Sequence, residues 1–94
     1  MLQFVELKQE TPLKRGTSKR KGDFNEIYSE YITDKAKEQS SRCSQCGVPF
    51  CQIHCPLSNN IPDWLKLTAE GRLKEAYELS QSTNNMPEVC GRIC

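Results

Sequence analysis

"RCSQCGVPFCQIHCPLSNNIP", residues 42–62, sets Cys43, Cys46, Cys51 and Cys55 within 13 positions and follows the last with Pro56. A free cysteine ordinarily packs as a small hydrophobe, so four at this density call for a shared task. Two more, Cys90 and Cys94, lie beyond a gap of 34 residues. The full spacing is therefore C-x2-C-x4-C-x3-C-P, the gap, then C-x3-C. A disulfide framework, a zinc site and an iron–sulfur centre are the three chemistries that could use it.

The rest of the chain bounds that choice. Its 94 residues carry 36% hydrophobic side chains and seven aromatics, one Trp, three Tyr and three Phe. A chain this short withdraws only about 60–65% of its unfolded surface from water, so its core is thin and an added staple is physically reasonable. The formal charge of +1 gives no strong field to draw nucleic acid or an anionic membrane. "MLQFVELKQE" is too charged for a signal peptide, and no run approaches the roughly 20 apolar residues of a membrane span. A cytoplasmic location follows, where structural disulfides are rare. Neighbouring cysteines here would also close strained rings.

Zinc needs four ligands. Cys43, Cys46, Cys90 and Cys94 could supply them, with His54 as a possible replacement for one sulfur, but Cys51 and Cys55 would then be idle. Iron–sulfur ligation uses more of the pattern. Closely spaced thiolates on a loop wrap one cluster and a distant one closes it. In two-cluster ferredoxins the run C-x2-C-x2-C-x3-C-P sends its fourth cysteine to the other cluster. Cys51-x3-Cys55-Pro56 keeps that ending, and Gly47 and Pro49 let the backbone bend tightly. His54 reads as a surface group beside the site.

Organisation along the chain follows from composition. Residues 1–22 begin with Phe4, Val5 and Leu7 and run into "TPLKRGTSKRKG", five basic residues with no acid. Pro12, Gly16 and Gly22 speak against regular structure there, and low hydrophobicity with like charges predicts mobility. "FNEIYSEY" offers Phe24, Ile27, Tyr28 and Tyr31 as anchors. A helix is expected over "TDKAKEQSSRCSQCG", capped by Thr33 and stopped at Gly47, with Ala36, Ser40 and Cys43 on one face. A second is expected over "IPDWLKLTAEG", with Pro62 in its first turn and Gly71 as its stop. A third covers "RLKEAYELSQSTNN", with Leu73, Ala76, Tyr77 and Ser80 on one stripe and its end at Asn84 and Asn85, and "MPEVCGRIC" reads as a short helical turn from Pro87 broken at Gly91. Ile61, Trp64, Leu65, Leu73, Ala76 and Tyr77 form the expected core. The fold class is all-α, with an extended, partly basic arm over residues 1–32 and a helical cysteine-rich domain over 33–94.

"RKGDFNEIYSEY", "RCSQCGVPFCQIHCPLSNNIPDWLKL" and "GRLKEAYELSQSTNNMPEVCGRIC" together resemble the N-terminal domain of the bacterial NADPH-dependent glutamate synthase small (beta) subunit family. The module at the start of dihydropyrimidine dehydrogenase is similar but looser. The combination CGxPFCxxxCP, IPxW and PExCGRxC is more specific than cysteine spacing alone. The resemblance implies two [4Fe–4S] clusters. Cys43, Cys46 and Cys51 match three ligands of one, and Cys55, Cys90 and Cys94 match three of the other. It also implies an electron relay from an NADPH-reduced FAD to an FMN in a large subunit, where glutamate is made. The expected partners are that large subunit and the flavin domains of the same subunit.

The family pattern continues past Cys94 with a proline and two more cysteines, and the GxGxxG turns that hold FAD and NADPH are absent from these 94 residues. A piece of a longer subunit is the expectation, inactive alone and with each cluster short of one thiolate. A flavoprotein with a different electron acceptor and a zinc-binding adaptor are the alternative readings.

Overall fold

Seven short helical segments and no strand make up the regular structure, and the computed structural model describes all 94 residues. A 3-10 turn at Gln3–Val5 is followed by α1 (Thr17–Arg20), α2 (Thr33–Ser40), α3 (Phe50–Ile53), α4 (Ile61–Ala69), α5 (Leu73–Gln81) and α6 (Pro87–Ile93). The all-α expectation holds. The only extended pairing is an isolated antiparallel bridge between Lys14 and Tyr28.

The centre is the α4–α5 hairpin, with α2 packed across α4 and α3 touching α4's flank. Pro62 sits in the first turn of α4, where its missing N–H costs nothing, and Asp63 faces the positive helix end. Gly71 ends the helix at φ +81. The Arg72 N–H reaches the Leu67 carbonyl at 2.9 Å and the Gly71 N–H the Thr68 carbonyl at 3.0 Å. That pair of bonds is the glycine-dependent helix stop known as the Schellman motif. It turns the chain straight into α5.

The core is thin, as the composition implied. Ala76 is the one buried residue with a plainly apolar side chain besides Pro62, and Ser40, Asn59 and Asn84 are buried beside them. Asn59 compensates with hydrogen bonds. Its Nδ2 donates to the Ser80 carbonyl at 2.8 Å and its Oδ1 accepts from Trp64 Nε1 at 3.0 Å. A buried polar group needs such partners, and here they fasten α4 to the end of α5. Ile61, Trp64 and Leu65 are half-buried. Leu73 and Tyr77, expected in the core, are exposed at 43% and 59%. The inward face of α5 runs through Ala76, Leu79 and Ser80, rotated from the stripe that the pattern suggested.

Five local expectations are corrected. Helix α5 ends at Gln81, ahead of the expected Asn84 and Asn85, where Ser82 Oγ donates to the Leu79 carbonyl. Helix α2 ends at Ser40, well before Gly47, because Ser41 Oγ donates to the Glu38 carbonyl and the Cys43 N–H folds back to the Ser40 carbonyl. Thr33 is its first helical residue, with Ile32 in the cap position. Gly91 does not break α6, which continues to Ile93. The basic segment forms α1 where Gly16 and Gly22 argued against helix.

The arm is hydrogen-bonded along α2 and the residues just past it. Leu2 and Gln3 N–H groups donate to the Cys43 and Ser41 carbonyls at 2.9 and 3.1 Å. Arg42 Nε donates to the Leu7 carbonyl, Gln39 bonds both Lys8 and Glu10, and Lys35 pairs with Glu10 at 2.8 Å. Further on, Arg15 grips Asp23 with a bidentate pair and Tyr31 donates to the Glu10 carbonyl. Of the four expected anchors, Tyr28 and Tyr31 are half-buried, whereas Phe24 and Ile27 lie on the surface.

Candidate metal centre

Turn residues deliver the first three thiols to one place. Cys43 follows the end of α2 and is half-buried, Cys46 lies on the loop beyond it, and Cys51 sits on α3. All three line one open hollow, with Phe4 from the arm and Leu65 from α4 as its apolar walls. Gln45 takes the left-handed conformation, φ +50, which a non-glycine residue adopts only when its surroundings hold it there. The holding bond is visible: Gln45 Nε2 donates to the Pro62 carbonyl at 2.7 Å, tying the cysteine loop to α4.

The other three thiols are placed differently. Cys55 is half-buried after α3, and its carbonyl accepts the Ser58 N–H at 2.9 Å as the chain turns past Pro56. Cys90 and Cys94 are exposed one turn apart on α6, joined by the Cys94 N–H to Cys90 carbonyl bond at 2.8 Å. The long-range hydrogen bonds of α6 run from Arg92 to Glu26, 66 positions away. Arg92 also lies over the Tyr28 ring at 6.0 Å. The Arg92 guanidinium, aided by the Tyr28 N–H, holds the Glu26 carboxyl below its ordinary value, and Arg92 is raised in turn.

All six cysteines are free thiols, so the disulfide reading has no support in the geometry. No three Cys, His or carboxylate groups converge on a single-ion site. Zinc holds thiolates at about 2.3 Å, and closing such a site would require the elements to move. The open hollow bounded by Cys43, Cys46 and Cys51 fits an iron–sulfur centre by the chemistry of its donors, which are soft thiols. His54 stands on the surface with its ring stacked on Phe50, 6.0 Å between centroids.

Some features of the site were missed in the sequence. Ser44 Oγ lies 3.0 Å from Cys46 Sγ, and Gln45 Nε2 lies 3.4 Å from Cys43 Sγ. Polar residues inside a C-x2-C pair were the available signal. Arg92, between Cys90 and Cys94, and Asn59, in "SNN", carried no comparable signal because their partners are distant in sequence or lie on another helix.

Residues 20–94 match the family model described as dihydropyrimidine dehydrogenase domain II, 4Fe-4S cluster. The glutamate synthase [NADPH] small chain of Azospirillum brasilense is 66% identical over 94 residues, spanning all of this chain and 20% of that protein. The Escherichia coli small chain is 50% identical over 92 residues, 98% of this chain and 20% of its own length. An E. coli protein named as the oxidoreductase AegA is 42% identical over 96 residues, 96% of this chain and 15% of its own. The chain thus spans about a fifth of the length of the glutamate synthase relatives it matches. No helix is long and apolar enough to cross a membrane.

Proposed function

Because the chain belongs to the dihydropyrimidine dehydrogenase domain II iron–sulfur family, we propose that it is the electron-relay domain of a glutamate synthase small chain. Binding of a 4Fe–4S cluster comes with the family. The finer reading assigns two clusters, one held by Cys43, Cys46 and Cys51 and the other by Cys55, Cys90 and Cys94. In that reading residues 33–94 carry the clusters and residues 1–32 brace them from outside. The observation that carries it is 66% identity over every residue to a glutamate synthase small chain.

Such clusters exchange single electrons with little nuclear rearrangement. This chain's residues contribute thiolates, apolar side chains of Phe4 and Leu65 beside them, and a backbone pinned at Leu2, Gln45 and Pro62. Hydride chemistry belongs elsewhere: FAD and NADPH would sit in another part of the same subunit, and electrons would pass to FMN in a large subunit. The likeness to AegA supports a second reading, in which the same module serves an oxidoreductase with a different acceptor.

Rapid-mixing experiments on the full-length protein with its large subunit distinguish the two. NADPH should bleach the cluster absorbance, and 2-oxoglutarate with glutamine should restore it. Cys43→Ala should abolish glutamate formation while flavin reduction by NADPH persists. Cluster bleaching that no addition of 2-oxoglutarate and glutamine reverses would favour the second reading.

A further inference from the structure

The two residues between Cys43 and Cys46 each place a hydrogen-bond donor on a ligand sulfur. Ser44 Oγ stands 3.0 Å from Cys46 Sγ, and Gln45 Nε2 stands 3.4 Å from Cys43 Sγ. A ligating thiolate has no proton, so it can only accept, and the serine hydroxyl must then donate. Gln45 is fixed by its 2.7 Å bond to the Pro62 carbonyl, which orients its amide NH2 and leaves one proton free for the sulfur. Its left-handed backbone keeps the side chain on that side of the loop. Ser44 is half-buried, and its contact with Cys46 lies at the exposed rim of the hollow.

We propose that Ser44 and Gln45 are positioning residues that raise the reduction potential of the cluster held by Cys43, Cys46 and Cys51. The proposal rests on the ligand assignment above. When that cluster accepts one electron, negative charge grows on the ligating sulfurs. A fixed O–H or N–H dipole aimed at a sulfur stabilises the reduced form more than the oxidised form. Hydrogen bonds to cluster sulfurs are a recognised determinant of potential, and groups just outside the ligand set commonly tune a metal site. Nothing comparable touches Cys55, Cys90 or Cys94: no side-chain hydrogen bond to their sulfurs is present. The same chain would therefore hold two clusters at different potentials, with the Cys43 site the easier to reduce.

The test is an EPR-monitored redox titration of the full-length, cluster-loaded protein. Ser44→Ala should lower the reduced-to-oxidised ratio of one cluster roughly three- to tenfold at fixed applied potential, tenfold being about 59 mV for one electron. The other cluster's ratio should not move. Ser44→Thr should restore the parental ratio and the near-isosteric Ser44→Val should not, which isolates the hydroxyl from packing. Gln45→Leu should act in the same direction as Ser44→Ala. Unchanged ratios in Ser44→Ala, or failure of threonine to restore a lowered one, overturn the proposal. Cys46→Ala separates the two layers of reasoning. If it leaves both EPR signals intact, the ligand assignment has failed; if it removes one while Ser44→Ala shifts nothing, the tuning alone has failed.

Discussion

The Cys43–Cys51 loop and helix α6 present the same soft donors, yet they are built on different principles. The loop is pinned from three directions: by the Leu2 N–H on the Cys43 carbonyl, by Gln45 on the Pro62 carbonyl, and by the Leu65 wall of α4. Helix α6 holds Cys90 and Cys94 by its own regularity, and its tie to distant sequence is Arg92 on Glu26 and Tyr28. Ion pairs this exposed add little to stability, because water and salt screen them. In the two-cluster reading proposed above, the folded chain would hold the first set of thiols near one another before metal arrives, whereas the second set would gain its order from the metal itself. Cluster binding would then supply folding free energy mainly to the second site.

The largest expected effects come from removing thiolates. In full-length protein, Cys43→Ala and Cys90→Ala should each abolish one cluster signal, and not the same one, in anaerobic EPR. A single substitution that erases both signals would break the division into two sets. The two losses should also differ in kind. Without iron, Cys90→Ala should leave amide exchange of α2, α4 and α5 unchanged, because α6 is not part of their packing.

A smaller effect is expected at the hinge of the braced half. Trp64 is half-buried and donates to buried Asn59, which in turn holds Ser80. Trp64→Ala should destabilise the domain by about 2 kcal/mol, below the roughly 3–5 kcal/mol of a fully buried aromatic. Asn59→Ala should cost about 1–3 kcal/mol, because it removes two buried hydrogen bonds and leaves their partners unsatisfied. Denaturant unfolding checks both, and an unchanged midpoint for either would remove this pair from the braced region.

The smallest effect belongs to α6. Arg92 depresses the Glu26 carboxyl below its ordinary value of 4.5. A depressed carboxylate contributes stability that is complete above the unfolded value and is lost as pH falls through the folded one. The tie between α6 and the arm should therefore weaken below pH 4.5, in the acid range alone. Glu26→Gln should abolish that acid step while leaving amide exchange of α2 and α4 as in the parent. An acid step of equal size in Glu26→Gln would show that other carboxylates govern it.

Much of this was legible in the sequence for physical reasons that can be named. Pro62 and Gly71 mark α4 because a first-turn proline and a left-handed glycine act locally. The cysteine spacing marks the metal chemistry because ligands must converge. What was hidden depends on contacts distant in sequence. The early end of α2 reflects the Ser41 side chain and an arm that occupies the Ser41 and Cys43 carbonyls. The exposure of Leu73 and Tyr77 reflects which face of α5 meets α4, and a two-sided apolar stripe does not specify that choice. Glycine at position 91 weakens helix locally, but one such residue did not outweigh the flanking turns of α6.

Metal and acid-labile sulfide analysis of anaerobically purified full-length protein tests the central claim most directly. Two [4Fe–4S] clusters in the Cys43 and Cys55 sets predict about eight irons and about eight sulfides per polypeptide, halved by either Cys43→Ala or Cys90→Ala. Stoichiometric zinc with no labile sulfide would contradict the account, and so would about four irons that survive Cys90→Ala unchanged.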